Sequence, residues 1–349
     1  MNKRLLLIAL AFAAAAFSAQ AGTAFYRMQS AVTFPGAVTG WDYLTFDAAR
    51  SYLFMARRAL GVTVYDVEVH KVVAKIADSA GANSTTLVPA LDRGFTSNGD
   101  GSTTIFQLST LKTLKRVQFG KSADAGFYEP VTRQMVFAMG DDHAVAFVDA
   151  NTGKPAGTLA MDAEKLEAAA PDGRGNLFMN ERDRDRVVRI DARRHAVTAE
   201  WKTTGCHEPT AMAYDAAGRR IFIGCRGDRP VLLVMDAQDG RVIASPEIGR
   251  GVDTVIYDAA TRRIYASCGI DADVVILDQH GPDRYVLEQA VTTRPEARTM
   301  ALDSKSQRLY LVTAEGIVDP SRPVDRAVAP FYPNAYFPNS FTLLTYARK

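Results

Sequence analysis

The stretch Arg263-Ile264-Tyr265-Ala266-Ser267-Cys268 decides the fold, because the chain repeats it. Related copies are Tyr52-Leu53-Phe54-Met55-Ala56, Arg220-Ile221-Phe222-Ile223-Gly224-Cys225 and Arg308-Leu309-Tyr310-Leu311-Val312-Thr313. Marking the second apolar residue of each copy gives Phe54, Phe95, Val136, Phe178, Phe222, Tyr265 and Tyr310, with spacings of 41, 41, 42, 44, 43 and 45 residues. One strand-rich unit per roughly 40–50 residues is the sequence form of a propeller. A second series keeps the same period: Asp66, Gln107, Asp149, Asp191, Asp236 and Asp278 follow the first six marks by 12 to 14 residues.

Each period reads as four short strands separated by turn residues. In the sixth they are Thr254 to Tyr257, Arg263 to Ser267, Val274 to Leu277 and Tyr285 to Ala290. β-branched and aromatic residues fill them, and Gly, Asp, Asn and Pro stand between. The inner turns, such as Asp215-Ala216-Ala217-Gly218, open on an Asp whose carboxylate can accept backbone N–H bonds. A single blade has two apolar faces and cannot bury them; a ring of blades buries each face against its neighbour. The expected fold is all-β: a seven-bladed propeller of four-stranded antiparallel blades spanning residues 22–349. The last period lacks a fourth strand, while Phe25 to Phe34 is a strand without a blade. That segment is expected to complete the last blade and remove an open edge; a frayed N-terminal arm is the alternative.

Residues 1–21 read as a signal peptide. Lys3 and Arg4 precede the apolar run Leu5 to Phe17, and Ala19-Gln20-Ala21 fits a small-x-small cleavage site. The run is shorter than the roughly 20 apolar residues of a membrane anchor. The protein is therefore expected in the periplasm, as a monomer. Without Lys3 and Arg4 the basic count falls to 39, equal to the acidic count, which argues against a broad electrostatic grip on nucleic acid. Ala163 to Ala170 is the one short helical candidate. Of the three cysteines, Cys206 and Cys225 are expected to meet across a hairpin and form a disulfide; the alternatives are two buried thiols or a zinc site with His207. Three is an odd number, so at least one cysteine is free or pairs outside the chain; Cys268 holds the matching place in the next blade, too far to join that bond.

The last period carries an insertion, residues 316–340, with Pro320, Pro323, Pro330, Pro333 and Pro338 and the aromatics Phe331, Tyr332, Tyr336 and Phe337. It reads either as a loop folded onto its own blade or as a lid or partner-binding loop.

The loops after the marked strands and those entering the inner strands share one end of the ring, the top. The former (Asn98 and Asp100; Asp141 to His143; Glu181 to Arg186; Arg226 to Arg229; Asp271 and Asp273) read as solvated turns by default. The latter are more informative. In six of the blades, five residues before the leading acid of the inner turn, stand Asp42, Asp124, Glu167, Thr210, Asp253 and Arg298, with His207 and Glu208 just before Thr210. Inner strands surround the central channel, so these side chains would ring its mouth. Converging carboxylates repel unless a cation, an arginine or shared protons hold them. Arg298 supplies one charge, and Ca²⁺ on Asp42, Asp124, Glu167 and Asp253 is a possible other. The competing reading makes each acid an acceptor for a neighbouring blade's backbone. No Gly-x-Ser-x-Gly, phosphate-cradling loop, His-Glu-x-x-His or Cys-x-x-Cys-His occurs.

The repeat strands, with Arg93 to Gly101 and Ala297-Arg298-Thr299-Met300-Ala301-Leu302-Asp303, resemble the YncE-like group of exported bacterial YVTN-repeat propellers over the whole of 22–349, although the literal Tyr-Val-Thr-Asn is absent. The resemblance implies a periplasmic seven-bladed propeller. It also implies two activities found among such proteins, single-stranded DNA binding and, in related propellers, metal-dependent lactone hydrolysis. The leading expectation is a non-enzymatic protein that binds a small ligand or an envelope protein at an acidic channel mouth. A lactonase-like hydrolase and single-stranded DNA binding are the alternatives.

Overall fold

The computed structural model describes residues 25–324 and 332–349, and the signal peptide read at 1–21 lies outside them. Seven four-stranded antiparallel sheets form the ring, with no α-helix among the described residues. Blade 1 runs through Leu44–Asp47, Tyr52–Ala56, Val62–Asp66 and Lys71–Lys75, from channel to rim, and blades 2 to 6 repeat this order. Blade 7 is built from both ends of the chain. Met300–Asp303, Arg308–Thr313 and Thr342–Arg348 are its inner three strands, and Tyr26–Thr33 pairs antiparallel with Thr342–Arg348 as the outer one. The N-terminal strand thus closes the ring.

The marked residues explain why the blades stack. Side chains alternate faces along a strand, so each marked residue faces one neighbouring blade and the residues flanking it face the other. Phe54, Phe95, Val136, Phe178, Phe222, Tyr265 and Tyr310 each sit in a different one of seven buried clusters, one per seam. Phe222 packs with Ile264 and Ala266 of blade 6, while its neighbours Ile221 and Ile223 pack with Phe178 of blade 4. In blade 2 the position before the mark is Gly94. A Cβ there would lie 2.1 Å from the ring of Phe106, which fills the space from the adjacent strand.

The helical reading of Ala163 to Ala170 is corrected: Leu166–Pro171 is the inner strand of blade 4. Its alanines answer to space rather than to helix propensity. Inner strands converge on the axis, where blades are narrowest; Ala168 and Ala170 pack toward blade 5 and Ala169 toward blade 3 and the rest of its own blade. Tertiary packing overrides the intrinsic preference of alanine.

Cys206 and Cys225 are joined by a disulfide, with Cα atoms 5.4 Å apart. Cys268, at the matching place in blade 6, is a free buried thiol. Pro209 pairs with Cys225 and Val252 with Cys268. Three residues before each, Cys206 corresponds to Gly249, so the second partner is missing from the sequence itself.

Candidate functional site at the channel mouth

Five of the eight residues singled out from the sequence meet at the top of the channel; Thr210 is buried and donates from Oγ1 to the carbonyl of Glu208. Asp42, Asp124, Glu167, Asp253 and Arg298 line one cavity of about 360 Å³. His207 and Glu208 do not enter it. They line an adjoining groove of about 830 Å³ over blades 2 to 5, which shares Asp124, Glu167 and Arg182 with the cavity. His207 is largely exposed and bonds Asp185 through Nδ1 at 2.6 Å; that bond holds its imidazolium pKa above the ordinary value.

The mouth is not simply acidic. Three arginines line it as well: Arg182 and Arg226, from loops read as solvated turns, and Arg58, from the corresponding loop of blade 1. Each stands four residues after its mark (Phe54, Phe178 and Phe222), where blades 2, 3 and 6 have Gly99, Gly140 and Gly269. That alternation of Arg and Gly at one repeat position was the available signal. At Gly269 the small residue is required: a Cβ would lie 2.7 Å from Cβ of Arg298 and 2.9 Å from Oη of Tyr332.

The arginines take up most of the carboxylates. Arg58 donates to Asp42 at 2.6 Å. Asp253 is shared, accepting from Arg298 Nε at 2.8 Å and from Arg226 Nη2. Arg226 also donates to the carbonyl of Val252 at 2.8 Å, and Arg298 to that of Trp41 at 3.0 Å, lying over the Trp41 ring. Arg182 stands 3.4 Å from both Glu167 and Glu208. Asp124 differs: its carboxylate makes no hydrogen bond or ion pair with any described residue.

The insertion supplies the remaining wall. Gly316–Ile317 and Ala335–Tyr336 pair as a small hairpin, so the segment carries structure of its own. Tyr332, Pro333, Asn334 and Tyr336 face the cavity. Tyr336 packs on Trp41 with ring centroids 5.2 Å apart and donates from its hydroxyl to Oε1 of Glu296 at 3.1 Å. Glu296, which the sequence reading passed over, is buried, and its Oε2 has no partner. Residues 325–331, including Pro330 and Phe331, lie outside the description.

Burial governs the titration of these acids, because a charge costs more away from water. It pushes Asp42 up to about 7 against the pull of Arg58 and Arg298. It pushes Asp124 to about 6, helped by the neighbouring Glu167 charge. Glu167 reaches about 6 against Arg226 and Arg182, and Glu296 about 7 against Arg298 and the Tyr336 hydroxyl. Burial lowers the pKa of Arg298, but Asp253 and Asp42 more than offset it and leave it raised.

The donor set does not fit a divalent cation. Calcium takes six to eight oxygens at about 2.3–2.6 Å, whereas Asp42 and Asp253 are engaged by guanidinium groups. Among the described residues no three His, Cys, Asp or Glu side chains stand together as a metal site. The positive charge that converging carboxylates require comes from arginine.

The architecture is thus a seven-bladed β-propeller with a mixed-charge cavity at one channel mouth. No family model matches the chain, and no curated protein does. Solved structures do. A chain in a crystal structure of a mitotic checkpoint complex superposes over 99% of both chains, with a TM-score of 0.74 and 14% identity. Hydrazine synthase of Kuenenia stuttgartiensis superposes over 80% of this chain and 94% of that one, with a TM-score of 0.66 and 15% identity. At these identities the likeness shows the fold alone.

Proposed function

We propose that this protein is a periplasmic binding propeller, acting without catalysis, that takes a small ligand with a cationic group at the top mouth of its channel. Asp124 carries the reading. It lines both the mouth cavity and the outer groove, and its carboxylate is unspent where every other acid of the ring has a donor. A cationic ligand group would satisfy it with a charge-assisted hydrogen bond. The cavity stands at the small end of ligand pockets, which run from roughly 300 to 1,000 Å³. Export is supported by the Leu5 to Phe17 run with its small-x-small site and by the Cys206–Cys225 bond, since disulfides persist in oxidising compartments.

Isothermal titration with agmatine as the probe cation tests this. Saturable binding is expected, weakened at least tenfold in Asp124→Asn, which keeps the side-chain shape and removes the charge. Equal affinity in the variant, or no binding, would overturn it.

A further inference from the structure

The mouth has a second pole, and the two poles together define the ligand. This inference rests on the cation-binding reading of Asp124 and deepens it.

Five carboxylates, Asp42, Asp124, Glu167, Asp253 and Glu296, face the cavity with four guanidinium groups, Arg58, Arg182, Arg226 and Arg298. The charges are not evenly mixed around the ring. Asp124 enters on blade 3, and blade 2 brings no charged side chain to the cavity. Arg226, Asp253, Glu296, Arg298, Arg58 and Asp42 fill the arc from the end of blade 5 through blades 6 and 7 to blade 1, and Glu296 there is held by the hydroxyl of Tyr336. In a ring of seven, the seam between blades 6 and 7 lies across the channel from blade 3. The unspent carboxylate therefore faces the arginine cluster.

That cluster has donors to spare. Arg58 uses Nε and Nη2 on Trp41 and Asp42. Arg226 uses Nε and Nη2 on Val252 and Asp253. Arg298 uses Nε and Nη2 on Asp253 and Trp41. In each, Nη1 makes no bond to a described residue. A guanidinium fork suits carboxylate geometry, and here its position is fixed by the carboxylate and carbonyl it already holds. The near balance of charge argues the same way. A bare cation would be met by the whole arginine cluster as well as by Asp124, whereas a dipolar molecule is complemented at both ends.

We infer that the ligand is a small zwitterion of amino-acid to dipeptide size, with its ammonium group on Asp124 and its carboxylate on the free N–H groups of Arg58, Arg226 and Arg298. Tyr332 and Tyr336 would bound the side that the insertion closes. The charges at the two ends would set the pose, and the side chain would extend toward the outer groove.

The test compares amino acids with the amines that lack only the carboxylate: alanine with ethylamine, phenylalanine with phenethylamine, lysine with cadaverine and arginine with agmatine. Affinities are measured by isothermal titration on the full chain. At least one amino acid is expected to bind tenfold or more tightly than its amine. Arg58→Gln should erase that preference while sparing the amine, and Asp124→Asn should weaken both. Arg58 is half exposed; a melting curve confirms that its variant folds, and Arg58→Lys, which keeps the charge, should retain part of the preference. Amines that bind through Asp124 with no advantage to any amino acid would overturn the zwitterion and leave the cation reading standing. If neither amines nor amino acids bind, both fall.

Discussion

Arg298 of blade 7 donates from Nε to Oδ2 of Asp253 in blade 6 at 2.8 Å, and Arg226 of blade 5 reaches the other oxygen of the same carboxylate. One side chain thereby ties three consecutive blades at the channel mouth. Asp253→Ala leaves two partly buried guanidinium groups facing each other with no counter-charge between them. Breaking such a pair costs about 3–5 kcal/mol, and denaturant unfolding should show a loss of that size. A loss under about 1 kcal/mol would mean that water screens the cluster.

The ring closure makes a separate prediction. Tyr26–Thr33 pairs along its length with Thr342–Arg348, and Tyr26 makes a hydroxyl contact of 3.0 Å with Tyr265 in blade 6. A chain beginning at Pro35 exposes the edge of Thr342–Arg348 and uncovers part of the blade 6–7 cluster. It should melt well below the full chain and tend to associate through that edge. An unchanged melting temperature would contradict closure by this strand.

The pH dependence follows from the four raised acids. Asp42, Asp124, Glu167 and Glu296 hold protons up to about 6–7 in the fold, whereas unfolded carboxyls release theirs near about 4. Between those values the native state binds more protons than the unfolded one, so stability should rise as pH falls from about 7 toward 4. Melting curves from pH 8 to pH 5 should show this rise, with Asp124→Asn showing a smaller one. A profile that is flat or falls on acidification, alike in both proteins, would contradict these shifts.

The disulfide gives a fourth. Cys206 and Cys225 are 19 residues apart, and a loop of that size is worth about 3 kcal/mol. Cys206→Ser should lose about that much stability. Alkylation of the intact protein should leave Cys268 unmodified, since burial raises its thiol pKa and hides it. Denaturation without reductant should add a single label. Three labels under those conditions would exclude the bond.

The fold was legible because it is periodic. Phe222, Tyr265 and Tyr310 fill equivalent seams, so one constraint is written seven times and survives the drift from Tyr to Phe to Val136. The acids of the mouth were legible for the same reason, since Asp42, Asp124, Glu167 and Asp253 keep a fixed distance from a turn acid. What escaped was written at fewer positions. Arg58, Arg182 and Arg226 occur in only three periods and look like ordinary loop polarity until aligned against glycine. Glu296 and Tyr336 come together from an insertion outside the repeat, where no period predicts a contact. Alanines 168–170 misled because a narrow inner strand and a helix can favour the same small residue.

The most direct test of the central claim is a crystal structure of the protein isolated from its native envelope without exchange of its ligand. A small molecule is expected in the mouth cavity, with a nitrogen within hydrogen-bonding distance of the Asp124 carboxylate and an acidic group against Arg58, Arg226 and Arg298. A ligand seated elsewhere on the ring, with Asp124 facing only water, would contradict it.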